Sequence, residues 1–109
     1  MRAILITADD VKEVTIPQAD GLDDMVQLNA MREHIDCRML CAAGVPDEDH
    51  GAWADDEGLF VEDNHIHVLK WFEQPIAGNI LITGLNEDGE TTGCTLDVDQ
   101  VKNMVRRIR

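Results

Sequence analysis

NILITGLNEDGETTGCTLDVDQVKNMV, from Asn79 to Val105, is the stretch on which the fold turns. Ile80, Leu81 and Ile82 make a short apolar, partly β-branched run between Gly78 and Gly84, as a buried strand requires. Asn86-Glu87-Asp88-Gly89 reads as a tight turn, because Asn and Asp bond their own backbone and glycine accepts positive φ. Thr91 to Leu96 then returns as the partner strand. Asp97 has the character of a helix N-cap, and Gln100 stands three residues on, the spacing of a capping box. Beyond it Val98, Val101, Met104, Val105 and Ile108 fall on one helical face. Arg106, Arg107 and Arg109 crowd the carboxyl end, where positive charge complements the helix dipole. The stretch predicts strand, turn, strand and a terminal helix.

The same residues carry a family resemblance. Ile80-Leu81-Ile82-Thr83-Gly84, an acidic turn closing in Gly89-Glu90, then Gly93 and a strand leading to the terminal helix resemble the family Domain of Unknown Function 3846. Upstream, Asp55-Asp56-Glu57-Gly58-Leu59 is similar to that family's acidic-Gly-Leu segment. The opening strand pair from Ala3 to Ile16, ending in Ile16-Pro17, is similar to its beginning. The family occurs largely in bacteriophages and actinobacteria and has no agreed activity. The resemblance implies a phage or mobile-element origin, and it transfers no catalytic residue.

Working outward, residues 2–7 and 11–16 read as a hairpin turning at Ala8-Asp9-Asp10, with Pro17 ending the second strand. Asp20 to Ile35 reads as a helix with an apolar stripe of Leu22, Met25, Val26, Met31 and Ile35. Asp20, Asp23 and Asp24 sit at its positive end. Arg38 to Ala42 reads as a strand, and Gly44-Val45-Pro46 opens a loop. From Asp47 to Asp63 come eight acids and no Lys or Arg, interrupted by Trp53, Leu59, Phe60 and Val61, which predicts that part of the segment packs down. Asn64 to Phe72 fits a helix capped by Asp63 or Asn64, and Ile66, Val68 and Phe72 fit a strand period as well; helix is the favoured reading. The pattern predicts one α+β domain over residues 1–109: a small, largely antiparallel sheet with two or three helices packed on one face.

Charge bounds the function more tightly than any motif. Twenty-two acids against nine bases leave a formal charge of −13. Such a surface repels nucleic acid and anionic membranes, so neither direct nucleic-acid binding nor membrane binding is expected. Ala3 to Ile6 is too short a run for a signal-peptide core or a membrane span. The three cysteines form no disulfide framework, which points to a reducing cytoplasm, that of the host cell for a phage protein. The sequence contains no serine and no tyrosine, so serine triads and tyrosine nucleophiles are excluded. No P-loop or GxGxxG is present.

Other chemistries are weaker than their bland alternatives. His34, Cys37 and Cys41, with Cys94, have the residue types of a zinc site, but no CxxC pair exists and free cysteines are usually buried. His65 and His67 share a face only on a strand, and two imidazoles are too few ligands. The acidic turns lack calcium-loop spacing. No catalytic residue, metal ligand or cofactor is assigned.

The expected function is binding, not catalysis. Asp47, Glu48, Asp49, Asp55, Asp56, Glu57, Glu62 and Asp63 are the candidate contacts, and their carboxylates suit a host protein with a basic surface. Carboxylates at loop tips can imitate backbone phosphates, a strategy of phage inhibitor proteins, which makes an anti-defence or nucleic-acid-mimicking role the expectation. The alternative is a pocket for a nucleotide-like small molecule, with Trp53, Trp71, Arg38 and Lys70 as its residues. An uncharacterised enzyme comes third. The sequence leaves the oligomeric state open, a homodimer included.

Overall fold

The computed structural model describes residues 1–19 and 25–109. Its strands and helices follow in the order Arg2–Ile6 (β1), Val11–Thr15 (β2), Met25–Ile35 (α1), Leu40–Ala42 (β3) and His50–Asp55 (β4). After a 3₁₀ turn at Gly58–Phe60 come Ile66–Leu69 (β5), Phe72–Ala77 (β6) and Ile80–Leu85 (β7). Thr91–Thr92 (β8), Val98–Lys102 (α2) and Val105–Arg107 (β9) complete the order. Among the described residues there are two antiparallel sheets and two α-helices, an α+β fold in which strands dominate.

The run at Ile80 is the centre of the larger sheet, whose strand order is β2-β1-β7-β4-β3, with β8 also on β7. Ile82 pairs with Ile4 on one side and Ala52 on the other, while Leu81 pairs with Leu5 and Trp53. Ile80, Leu81, Ile82 and Thr83 are all wholly buried. Each of the three aliphatic side chains contributes about 2 kcal/mol on burial. Alternation along the strands sends neighbours to opposite faces. Ile4, Ile6, Ala52, Ala54, Ile80 and Ile82 face a cluster containing Leu69 of β5 and Val101 of α2. Ala3, Leu5 and Leu81 face Met31 and Ile35 of α1. The helices therefore lie on opposite faces, not together on one as the sequence suggested, because both faces of β1 and β7 are apolar and each needs a cover.

The smaller sheet, β6-β5-β9, corrects two further expectations. Asn64–Phe72 is not a helix: His67 and Leu69 are buried and their neighbours less so, a strand period, and β5 pairs with both β6 and β9. The terminal helix is also shorter than its apolar spacing suggested. The capping box at Asp97 and Gln100 is present, but the helix stops at Lys102 with Asn103 as C-cap. Val105, Arg106 and Arg107 then pair with Leu69, Val68 and His67, so the arginines edge a sheet and do not cap a helix. β5 needs a partner there, and that long-range demand overrides local periodicity. Met104 is only half-buried and Ile108 is exposed.

Near the amino terminus the expected hairpin is present, Arg2 opposite Thr15 and Ile6 opposite Val11. The first-helix expectation at Asp20, Leu22, Asp23 and Asp24 lies outside the described residues. Within α1 the buried side chains are Gln27, Met31 and Ile35, whereas Met25 and Val26, expected in the stripe, are exposed. The β-return predicted for Thr91–Leu96 is a strand only at Thr91–Thr92. The turn before it is as expected: Asn86 Oδ1 accepts from the Asp88 and Glu90 N–H groups, and Gly89 takes φ +80°.

Candidate functional site

The acidic segment divides into two groups, because its middle is β4, an inner strand between β3 and β7. The six strand steps from Asp49 to Asp55 put the two groups roughly 20 Å apart at about 3.3 Å per residue. At the first end stand Asp47, Glu48 and Asp49, tied to β7 by the Leu85 N–H donating to the Asp49 carbonyl at 2.8 Å. Asp47 has an internal task. Its Oδ1 accepts from His50 Nδ1 at 2.7 Å, and His50 is almost wholly buried. Burial alone would raise the Asp47 carboxyl, but the bonds from His50 and from the Asp49 N–H outweigh it and hold it below the usual range.

Carboxylate, imidazole and hydroxyl here stand in the order of a nucleophilic triad, since Thr95 Oγ1 lies 3.1 Å from His50 Nε2. The Thr95 main-chain N–H also donates to that nitrogen at 3.0 Å, so its single lone pair is already engaged. The trio thus fastens β4 to the segment before α2 and has no free base for the hydroxyl proton.

The second end is differently built. Asp55 Oδ1 accepts from the Glu57 N–H at 2.9 Å, and Glu57 forms a two-point ion pair with Arg38 at 3.2 and 2.8 Å. The 3₁₀ turn follows, with the Phe60 N–H donating to the Glu57 carbonyl. A Cβ on Gly58 would run into the Ala77 carbonyl, so glycine lets the turn sit directly on β6. Asn64 Nδ2 donates to the Gly58 carbonyl at 2.9 Å and closes the loop from behind. On this fastened turn Leu59 is 78% and Phe60 86% exposed and Val61 about half exposed; Met39, whose carbonyl accepts from the Asp56 N–H, is about half exposed as well. Asp56 and Glu62 flank them, their side chains making no hydrogen bond or ion pair among the described residues, and Asp63 follows at φ +57°.

Part of the segment packs down, as expected, and that part is β4; Leu59, Phe60 and Val61 stay outside. Trp53 alone of the interrupting apolar residues turns inward, its Nε1 donating to Thr83 Oγ1 at 3.0 Å. The structure thus brings Asp55, Asp56, Glu57, Glu62 and Asp63 around one apolar projection and leaves Asp47, Glu48 and Asp49 apart. Leu59 and Phe60 were missed as contacts. Their signal was a Gly-Leu-Phe triplet inside an acidic run, where glycine marks a turn.

The four residues of the pocket alternative are not assembled. Trp53 borders a cavity of about 460 Å³ with Gln18, Gln27 and Asn86. Trp71 donates to the Ala43 carbonyl at 2.8 Å, Arg38 is paired with Glu57, and Lys70 lies beside β9. Cys37 packs on the α1 face of the sheet, and Cys41 and Cys94 on the other. Burial raises Cys37 to about 11, with Asp55 adding to the effect, so its thiol is a poor nucleophile.

His65 and His67 do come together, their rings perpendicular and 5.7 Å apart. His67 is buried with Nδ1 unpartnered, and His65 Nε2 is likewise unpartnered. Burial first, then the positive charge of Arg107, lowers the pKa of His65; burial, His65 and Arg107 lower that of His67. The unfolded chain therefore takes up these protons more readily. Stability is full above pH about 6.5 and falls as the pH drops through the folded values. Urea unfolding at stepped pH is expected to show this acid-side loss, at most about 1.4 kcal/mol per pH unit from His67. His67→Phe should flatten it; an unchanged slope would show that His67 does not titrate on unfolding.

Among the described residues, no helix is long and apolar enough to cross a membrane. No curated protein and no solved structure matches the chain. The sequence profile of one family matches residues 1–107, nearly the whole length, including both the acidic Gly-Leu turn and the β7 strand. The chain accordingly belongs to the family described as Domain of unknown function (DUF3846).

Proposed function

We propose that the protein acts by binding and not by catalysis, inserting Leu59 and Phe60 into an apolar pocket of a partner protein whose rim is basic. The observation that carries this reading is the exposure of two large apolar side chains on a turn held rigid by Gly58 and Asn64. Exposed apolar groups on a fixed frame lose little conformational entropy on docking, which favours affinity. Asp56, Glu57, Glu62 and Asp63 around them supply the complementary charge, which chiefly raises the association rate. A host protein with a nucleic-acid-binding surface is the partner class that best fits a chain of −13, and a phage-type accessory role follows from that partner.

The test uses wild type and Asp56→Lys/Glu62→Lys as baits in host lysate, with mass spectrometry of what each retains. Neither side chain makes a hydrogen bond or ion pair among the described residues, so the variant should fold. A true partner is expected on the wild type alone, is released by added salt, and binds the purified variant at least about tenfold more weakly. A partner held equally by both baits would overturn the charged rim.

A further inference from the structure

A second surface, opposite in charge, lies where α2 meets β9. The groove there has a volume of about 480 Å³, within the range of small-ligand sites. Val68, Leu69, Met104 and Val105 supply its apolar lining. Lys70, Lys102 and Arg106 stand around it, and no carboxylate lines it. Three elements bring these cations together. Val68 and Arg106 are cross-strand partners, so they share a face of the small sheet. Lys70 follows two residues after Val68, and its N–H donates to the Met104 carbonyl at 2.9 Å. Lys102 ends α2, just before the turn to β9.

The charge arithmetic makes this grouping unusual. Acids outnumber bases 22 to 9 over the whole chain, yet no acid lines this groove. Among the described residues, Arg2, Arg38 and Arg107 have acidic partners, whereas Lys12, Arg32, Arg109 and the three groove cations have none; what distinguishes the groove is that three such cations share one lining without a carboxylate. Three like charges around an apolar floor repel one another, and an anion there would relieve that repulsion. The floor selects among anions, since a bare inorganic ion would leave it wet.

We propose that this groove binds a small amphipathic anion, a phosphate or carboxylate joined to an aromatic or aliphatic body. The anionic head is held by Lys70, Lys102 and Arg106, and the body lies on Val68 and Met104. The groove uses none of the residues of the acidic turn, so this proposal stands or falls separately from docking.

The probes are anilinonaphthalene sulfonate, read by fluorescence, and phenyl phosphate, read by calorimetry and by displacement of the dye. Saturable one-to-one binding is expected, with phenyl phosphate tighter than either inorganic phosphate or phenol. Lys70→Gln/Lys102→Gln/Arg106→Gln should weaken both probes at least about tenfold, because the charge-assisted contacts are gone. Phe60→Ser, which removes the most exposed of the large apolar side chains among the described residues, should leave both unchanged. Should the triple variant fail to fold, Val68→Glu places a carboxylate in the groove and is expected to have the same effect. Absence of saturable binding, equal affinity for phenol and phenyl phosphate, or probe binding insensitive to the triple variant and to Val68→Glu would overturn the site.

Discussion

Leu59→Ser/Phe60→Ser is expected to reduce partner affinity at least about 100-fold while leaving the fold intact. Large side chains that enter a partner's pocket dominate interface energies, and truncating one commonly costs about 2 kcal/mol or more. Two such losses sum to about 4 kcal/mol, and an overlap of up to about 1 kcal/mol between them still leaves more than the roughly 2.8 kcal/mol that corresponds to 100-fold. The same side chains are 78% and 86% exposed in the free protein, so removing them forfeits little internal packing. Thermal melting should shift by less than the equivalent of about 0.5 kcal/mol, and backbone NMR shifts should change only near the turn. The measurement is surface-immobilised affinity for the partner retained by the wild-type bait. Affinity within threefold of wild type would show that the projection is solvated surface.

Val101→Asp carries the largest expected effect on stability. Val101 has no exposure and packs in the cluster formed by Ile4, Ile6, Ile80, Ile82 and Leu69. An aspartate there is an unpaired charge beneath the main sheet, at a cost of at least about 4 kcal/mol, comparable to the whole stability of a marginal domain. Met104→Asp is the informative contrast. On a continuous helix the two positions would share a face and behave alike. With the chain turning at Asn103 into β9, Met104 is half-buried beside Lys102, and its aspartate should cost much less. Equal losses in urea unfolding would restore the continuous helix.

The elements legible in the sequence are those whose local signals agree with their surroundings. The β1-β2 hairpin, the Asn86–Gly89 turn, the β7 strand and the Asp97–Gln100 box each rest on two or three adjacent residues whose chemistry permits one conformation. Misreadings arose where a long-range partner decided the matter. Ile66, Val68 and Phe72 satisfy both helical and strand periods, and the pairing of β5 with β6 and β9 selects strand. Val105 and Ile108 continue the spacing of α2, yet Leu69 and Ile66 claim that backbone for the sheet. The candidate site was half legible. Its acids were read from composition, but their division by β4 depends on β7 and β3 accepting that strand between them. The outward turn of Leu59 and Phe60 depends on how closely Gly58 approaches Ala77, which no property of the segment itself encodes.

The central place of β7 also governs how this chain must fold in time. The β1-β2 hairpin and the β3-β4 pair each close a short loop, and both can form early at modest entropic cost. Within the sheet they have no strand in common until β7 lies between them, with Ile82 linking Ile4 to Ala52. Docking β7 on β1 closes a loop of more than seventy residues before any compensating contact is made. A topology so dominated by distant pairing folds slowly, over milliseconds or longer. Until that step the apolar faces of both hairpins stay in water, and the charge of −13 is then what keeps unfinished chains from meeting one another. In this light the excess of acid protects the nascent protein as well as shaping the finished surface.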